Sequence, residues 1–173
     1  MARANRMLRE GLMLGGLAYV AVAVFYAAFD LLAARGTLYT VDLLGKALFR
    51  GLRDPSVLQL PMRLDLTAVV LYNSLHLVVS LAIGLVIAWL IARAEHGPRD
   101  AYLSLAVILG GFVVTVLAVS GLTGPIRSLL PWWSILAANA FAVVVAGGAL
   151  VWKRPEVVRI LMPFLGGVTE PRG

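Results

Sequence analysis

Cysteine is absent from the 173-residue sequence. That removes disulfide staples, iron–sulfur ligation and thiolate chemistry together. Charge is scarce too: 14% of the residues are Asp, Glu, Lys or Arg, against about a quarter in soluble domains. Histidine occurs twice, at His76 and His96, and the scattered carboxylates show no ligand spacing around either, so a metal site of three or four ligands is not expected. No glycine-rich loop follows a strand to cradle a nucleotide.

Apolar residues fill the space: 61% of the chain is hydrophobic and the mean hydropathy is +0.91. A water-soluble fold has no means of hiding that much apolar surface, whereas a bilayer solvates it. The formal net charge is +6, and thirteen of the fifteen basic residues are arginine. They are spread between apolar runs, which suits lipid head groups and gives no reason to expect a nucleic-acid partner.

Four runs are long enough to span about 30 Å of hydrocarbon at about 1.5 Å per residue: 11–33, 66–92, 101–122 and 132–152. Pro55, Pro61, Pro98, Pro125, Pro131, Pro155, Pro163 and Pro171 all fall outside them, as continuous helices in lipid require. Trp132, Trp133 and Trp152 stand at run ends, where amphipathic rings favour the interface. Arg3, Arg6 and Arg9 precede the first run, and Ala21-Val22-Ala23 resembles a signal-peptidase site. The run continues through Phe29, so a retained signal-anchor helix is expected. The predicted fold is a single all-α integral membrane domain, 1–173, with four transmembrane helices in an antiparallel bundle and no internal repeat.

The longest loop joins the first two runs. Within it, 41–53 reads as an amphipathic interfacial helix, with Asp42, Lys46, Arg50 and Arg53 on one side and Leu44, Leu48 and Leu52 on another. Such a helix lies on the membrane surface or across the bundle end. A shorter candidate covers 156–165. The side bearing both termini carries nine Lys/Arg and the other side six. The positive-inside rule therefore predicts cytoplasmic termini, in a bacterial inner membrane, although a basic helix in the long loop pulls the other way.

Polar side chains within the runs gather in the long-loop half: Tyr26, Asp30, Asn73, His76, Thr115, Ser120 and Asn139. Tyr72, Asn73, His76 and Ser80 share one helix face by spacing, and such groups belong toward the bundle interior or a partner. Tyr26, Asn73, His76, Thr115 and Asn139 thus form a candidate ligand-binding tier. Three readings of His76 stand open: interhelical glue, contact with a quinone or lipid, and haem ligation. Bis-His haem within the chain is excluded, because His96 lies about 30 Å further along. No intrinsic cofactor is expected, and haem only if a partner subunit shares it. Glycines mark the other half. Gly15, Gly16, Gly147 and Gly148 lie at similar depth and predict close approach of the first and fourth spans, since small residues let backbones meet in lipid.

Enzyme classes fail on minimum requirements. Asp30 is the only acid inside a run, so a facing carboxylate dyad is excluded. Ser74 is two residues from His76 and points elsewhere; Ser120 or Ser134 could in principle approach it, but no motif supports a serine hydrolase. Unbroken spans without repeats argue against a self-contained transporter, and no span carries a ring of charges. The expected function is a non-catalytic accessory or structural subunit of a larger membrane complex, by analogy with small four-helix electron-transfer subunits, with lipids and other membrane subunits as partners. The alternative is a homo-oligomer that binds or transports a quinone, lipid or solute.

Overall fold

The computed structural model describes residues 2–54 and 62–161. Over these the protein is all-helical, with α1 (Ala2–Leu32), α2 (Tyr39–Phe49), α3 (Leu66–Ala94), α4 (Pro98–Leu122), a 3₁₀ turn at Gly124–Ile126, α5 (Trp132–Lys153) and α6 (Glu156–Leu161). Four of the helices, α1, α3, α4 and α5, are long and apolar enough to cross a membrane. Pro98 opens α4 at its first turn and Pro131 precedes α5, positions where a missing N–H costs nothing. Pro55, Pro61, Pro163 and Pro171 lie outside the described residues, as does 162–165 of the shorter predicted amphipathic segment.

The boundaries differ where charged residues continue a helix past the apolar run. α1 begins at Ala2 rather than near Gly11. Arg6 and Glu10 pair one turn apart at 3.0 Å, and hydrated helix formers carry the ladder out of the apolar layer. α2 ends at Phe49, short of the predicted Arg53. Gly51 takes φ +66, which breaks the helix, and Arg53 turns back to donate to the Ala47 carbonyl at 3.0 Å.

The closest seam joins α1 to α3. A Cβ on Gly15 would stand 2.5 Å from the Ser80 carbonyl oxygen and 2.6 Å from Leu81 Cα, and one on Gly11 would stand 2.7 Å from Leu85 Cα. Gly84 meets the Gly11 carbonyl from the other side. The pairs Gly11–Leu85, Gly15–Leu81 and Tyr19–Asn73 step up α1 and down α3.

α1 and α5 do pack together as expected, with Leu14 in one cluster with Ala146 and Leu150, but not through the expected glycines. Among the described residues, nothing lies within 4 Å of a Cβ built on Gly16, Gly147 or Gly148. The buried face of α5 is Ala138, Ala142, Ala146 and Leu150, four apart, and Gly147 sits one position, about 100° of turn, off that stripe.

Two apolar clusters hold the structure. One gathers Tyr26, Leu43, Leu44, Ile126, Leu130 and Ile135 beneath α2, and the other Leu14, Ile91, Ala146, Leu150 and Val157 at the opposite end. α4 stands apart: none of its most apolar stretch is buried, against 22–28% for α1, α3 and α5.

Candidate functional site

At the α2 end, three aspartates organise helix starts. Asp30, near the end of α1, is fully buried. It accepts from the Thr40 backbone N–H at 2.7 Å and the Thr40 hydroxyl at 2.6 Å. Leu38, the residue before α2, supplies no side-chain cap, so a carboxylate from another helix meets the orphan N–H and the positive helix end. Arg35 fastens the same corner. It donates to the Leu129 carbonyl at 3.0 Å and its guanidinium lies 5.2 Å from the Tyr39 ring centre.

Asp42 is the next link. It accepts from the Asp65 backbone N–H at 3.0 Å and pairs with Lys46 at 2.7 Å, and the Lys46 ammonium also donates to the Arg63 carbonyl. Asp65 in turn caps α3 by accepting from the Ala68 N–H at 3.0 Å, and pairs with Arg50 at 2.9 Å. The Arg50 hydrogen bond, then the Ala68 N–H, hold the Asp65 carboxyl down at about 2, and the same pairing raises Arg50.

The amphipathic reading of α2 changes accordingly. Asp42 is buried against α3 while Arg50 and Arg53 stay exposed; of the expected apolar side Leu44 and Leu52 are buried, Leu48 is 42% exposed, and Leu43 joins the core. Gly45 permits this docking, because a Cβ there would meet the Ala68 carbonyl at 2.5 Å. Lys46, Arg50 and Arg53 face a shallow depression of about 430 Å³ also lined by Gly51, Leu52 and Asp54. Each of the three cations already holds an acceptor: Asp42, Asp65 and the Ala47 carbonyl respectively.

At the other end, Arg154 gathers three carboxylates from three helices. It pairs with Glu10 of α1 at 2.8 Å, Glu95 just past α3 at 2.8 Å, and Glu156 of α6 at 2.9 Å. Its side chain is 11% exposed. Burial opposes its charge, but the bonds to Glu156, Glu95 and Glu10 outweigh that and raise the guanidinium well above its ordinary value. Glu156 is lowered in exchange.

The predicted polar tier divides. Asn73 accepts from the Tyr19 hydroxyl at 3.2 Å, and His76 lies against the Tyr19 and Tyr72 rings, with centroids at 5.3 and 5.9 Å. Tyr26 is buried in the α2 cluster beside Ser134. Thr115 and Asn139 each hydrogen-bond a carbonyl of their own helix, Gly111 at 2.8 Å and Ile135 at 2.8 Å. The structure therefore assembles Asn73 and His76 around Tyr19, a residue the sequence reading missed. The sevenfold spacing from Tyr19 to Tyr26, which puts both on one face of α1, was the available signal.

Arg154 was missed because two of its three partners, Glu10 and Glu95, lie 144 and 59 positions away. Asp65 was legible, as an Asp directly before an apolar helix is an N-cap signature. Among the described residues no three His, Cys, Asp or Glu side chains cluster to hold a metal.

No known protein-family model, curated protein or solved structure matches the chain. What the geometry defines is a class: a helical protein with four helices fit to cross a membrane, charged clamps at both ends and a small aromatic–polar tier between α1 and α3.

Proposed function

We propose that the chain is a non-catalytic accessory or structural subunit of a larger membrane assembly. The observation that carries this reading is α4, whose apolar stretch is left unburied by the other helices. Among the described residues nothing lies within 4 Å of a Cβ built on Gly110, Gly111 or Gly121 along it, which suits close approach by a further helix. The charged clusters support the same reading, because their carboxylates are used in capping and pairing and none is arranged as an acid–base pair.

In this reading the four long helices span an inner membrane as an antiparallel bundle, α2 lies at the interface, and the termini are cytoplasmic. An electron-transfer complex is the assembly class proposed. Mild-detergent purification from native membranes, followed by mass spectrometry and a visible absorption spectrum, tests it. Co-purifying membrane subunits, lost when Gly110→Leu or Gly111→Leu thickens α4, are the expected result. A lone monodisperse monomer would count against any subunit role. A homogeneous self-associated species would favour the homo-oligomeric ligand-binding alternative.

A further inference from the structure

Between the glycine seam and α2, the surface shared by α1 and α3 changes from backbone contact to side chains: Tyr19 on α1, and Tyr72, Asn73 and His76 on α3. The hydrogen bonds among these side chains do not involve His76. The Tyr19 hydroxyl donates to Asn73 Oδ1 at 3.2 Å, and the Asn73 amide donates to the Val69 carbonyl at 3.0 Å. His76 packs beside two rings, Tyr19 at 5.3 Å and Tyr72 at 5.9 Å, and makes no hydrogen bond among the described residues.

Its nitrogens are not sealed in the core either. Among the described residues the one sealed side-chain polar atom without a partner is Ser104 Oγ, and His76 itself is half-buried. An imidazole that carries an N–H donor and a nitrogen acceptor is therefore open at the surface of the helix pair.

Depth decides what it opens to. α3 has 29 residues, about 43 Å of helix, against about 30 Å of hydrocarbon. With the excess shared between its ends, His76 lies about 8 Å inside the hydrocarbon boundary on the α2 side. Water is scarce there, and a polar group left without a partner is costly. Ester carbonyls of glycerolipids stay at the boundary. An occupant at this level has to dissolve in the acyl layer, present an acceptor oxygen, and be flat enough to lie beside two tyrosine rings.

We propose that His76, flanked by Tyr19 and Tyr72, is a binding site for a membrane-soluble ring carbonyl compound of the quinone class, with the imidazole N–H donating to a carbonyl oxygen. The site stands on these contacts alone and does not depend on partner subunits.

The test uses the full chain, labelled with ¹⁵N-histidine, in nanodiscs of ether-linked phospholipid, which contain no ester carbonyls. His96, whose Nδ1 lies 2.9 Å from the Arg93 carbonyl oxygen in the exposed turn after α3, is the internal reference. Titration with a decyl-substituted benzoquinone is expected to move the His76 ring resonances saturably and by more than their linewidth, leaving His96 in place. His76→Phe, which keeps a ring between the tyrosines, is expected to weaken quinone retention at least tenfold. Resonances that ignore the quinone but move when ester-linked lipid replaces ether-linked lipid would overturn the quinone class in favour of a lipid carbonyl. Resonances indifferent to both would make His76 an aromatic packing residue and end the proposal.

Discussion

The carboxylate of Asp30 holds Thr40 by two bonds, one to its backbone N–H at 2.7 Å and one to its hydroxyl at 2.6 Å, and both residues are buried. A charge at the end of a long apolar helix is thereby used to start the next helix. The cost of burying it is offset by two donors and by the helix end it faces. Thr40→Val removes the hydroxyl while keeping the side-chain shape. It is expected to lower stability by about 1–3 kcal/mol, the effect of leaving a buried acceptor under-partnered. Chemical unfolding in detergent measures the loss, and amide exchange is expected to accelerate first in α2. Unchanged exchange there would show that α2 is held by its apolar cluster alone.

The Arg50–Asp65 pair makes stability depend on acidity. The folded-state value of Asp65 is depressed from 3.8 to about 2, first by Arg50. A depressed carboxyl contributes stability above its unfolded value and loses it as pH falls through the folded one. The contribution is therefore complete above about pH 4 and fades toward pH 2. Arg50→Gln is expected to flatten this part of the pH–stability curve by lowering the plateau above about pH 5, while parent and variant converge near about pH 2. An identical acid limb in the variant would remove Arg50 as the cause.

Arg154 touches α6 and the ends of α1 and α3 at once. Arg154→Ala leaves the carboxylates of Glu10 and Glu95 facing each other without their shared cation. A loss of about 1–2 kcal/mol is expected, given the partial exposure of the cluster. Arg154→Lys recovers part of it, because an ammonium lacks the fork that reaches three partners. Combining Arg154→Ala with Glu10→Gln is expected to cost less than the two changes added separately.

The glycines separate by contact. Gly15→Ala and Gly84→Ala push a methyl into the facing backbone and are expected to destabilise by about 1–3 kcal/mol through overpacking. Gly16→Ala and Gly147→Ala meet open space and are expected to stay within about 0.5 kcal/mol of the parent. Thermal unfolding of the four variants in one detergent is the comparison. Equal effects at Gly15 and Gly16 would remove the α1–α3 seam.

Legibility followed the range of the interactions involved. Leu66 to Ala92 declares a span by its own apolarity, and Trp132 and Trp133 mark an end without reference to any other helix. Asp42 and Lys46, four residues apart, were readable as a pair, and the structure keeps them at 2.7 Å. That Asp42 would also reach the Asp65 N–H, and so be buried itself, required knowing that the chain returns there 23 residues later. In the polar tier, Asn73 and His76 were visible as one face of a helix. Their neighbour Tyr19, 54 residues from Asn73, was not.

By itself the sequence determined that this protein belongs in a bilayer, that four stretches are fit to span it, and where their polar and small residues fall. Hydropathy and helical spacing are local properties, present before any helix meets another. Only the tertiary structure decided that Gly15 meets α3 and not α5, that Arg154 collects Glu10, Glu95 and Glu156, and that α4 is left with an open face. In an apolar solvent every span is uniformly apolar, so no hydrophobic stripe names its partner. Backbone fit and a few polar contacts make that choice, and they exist only once the helices are in place.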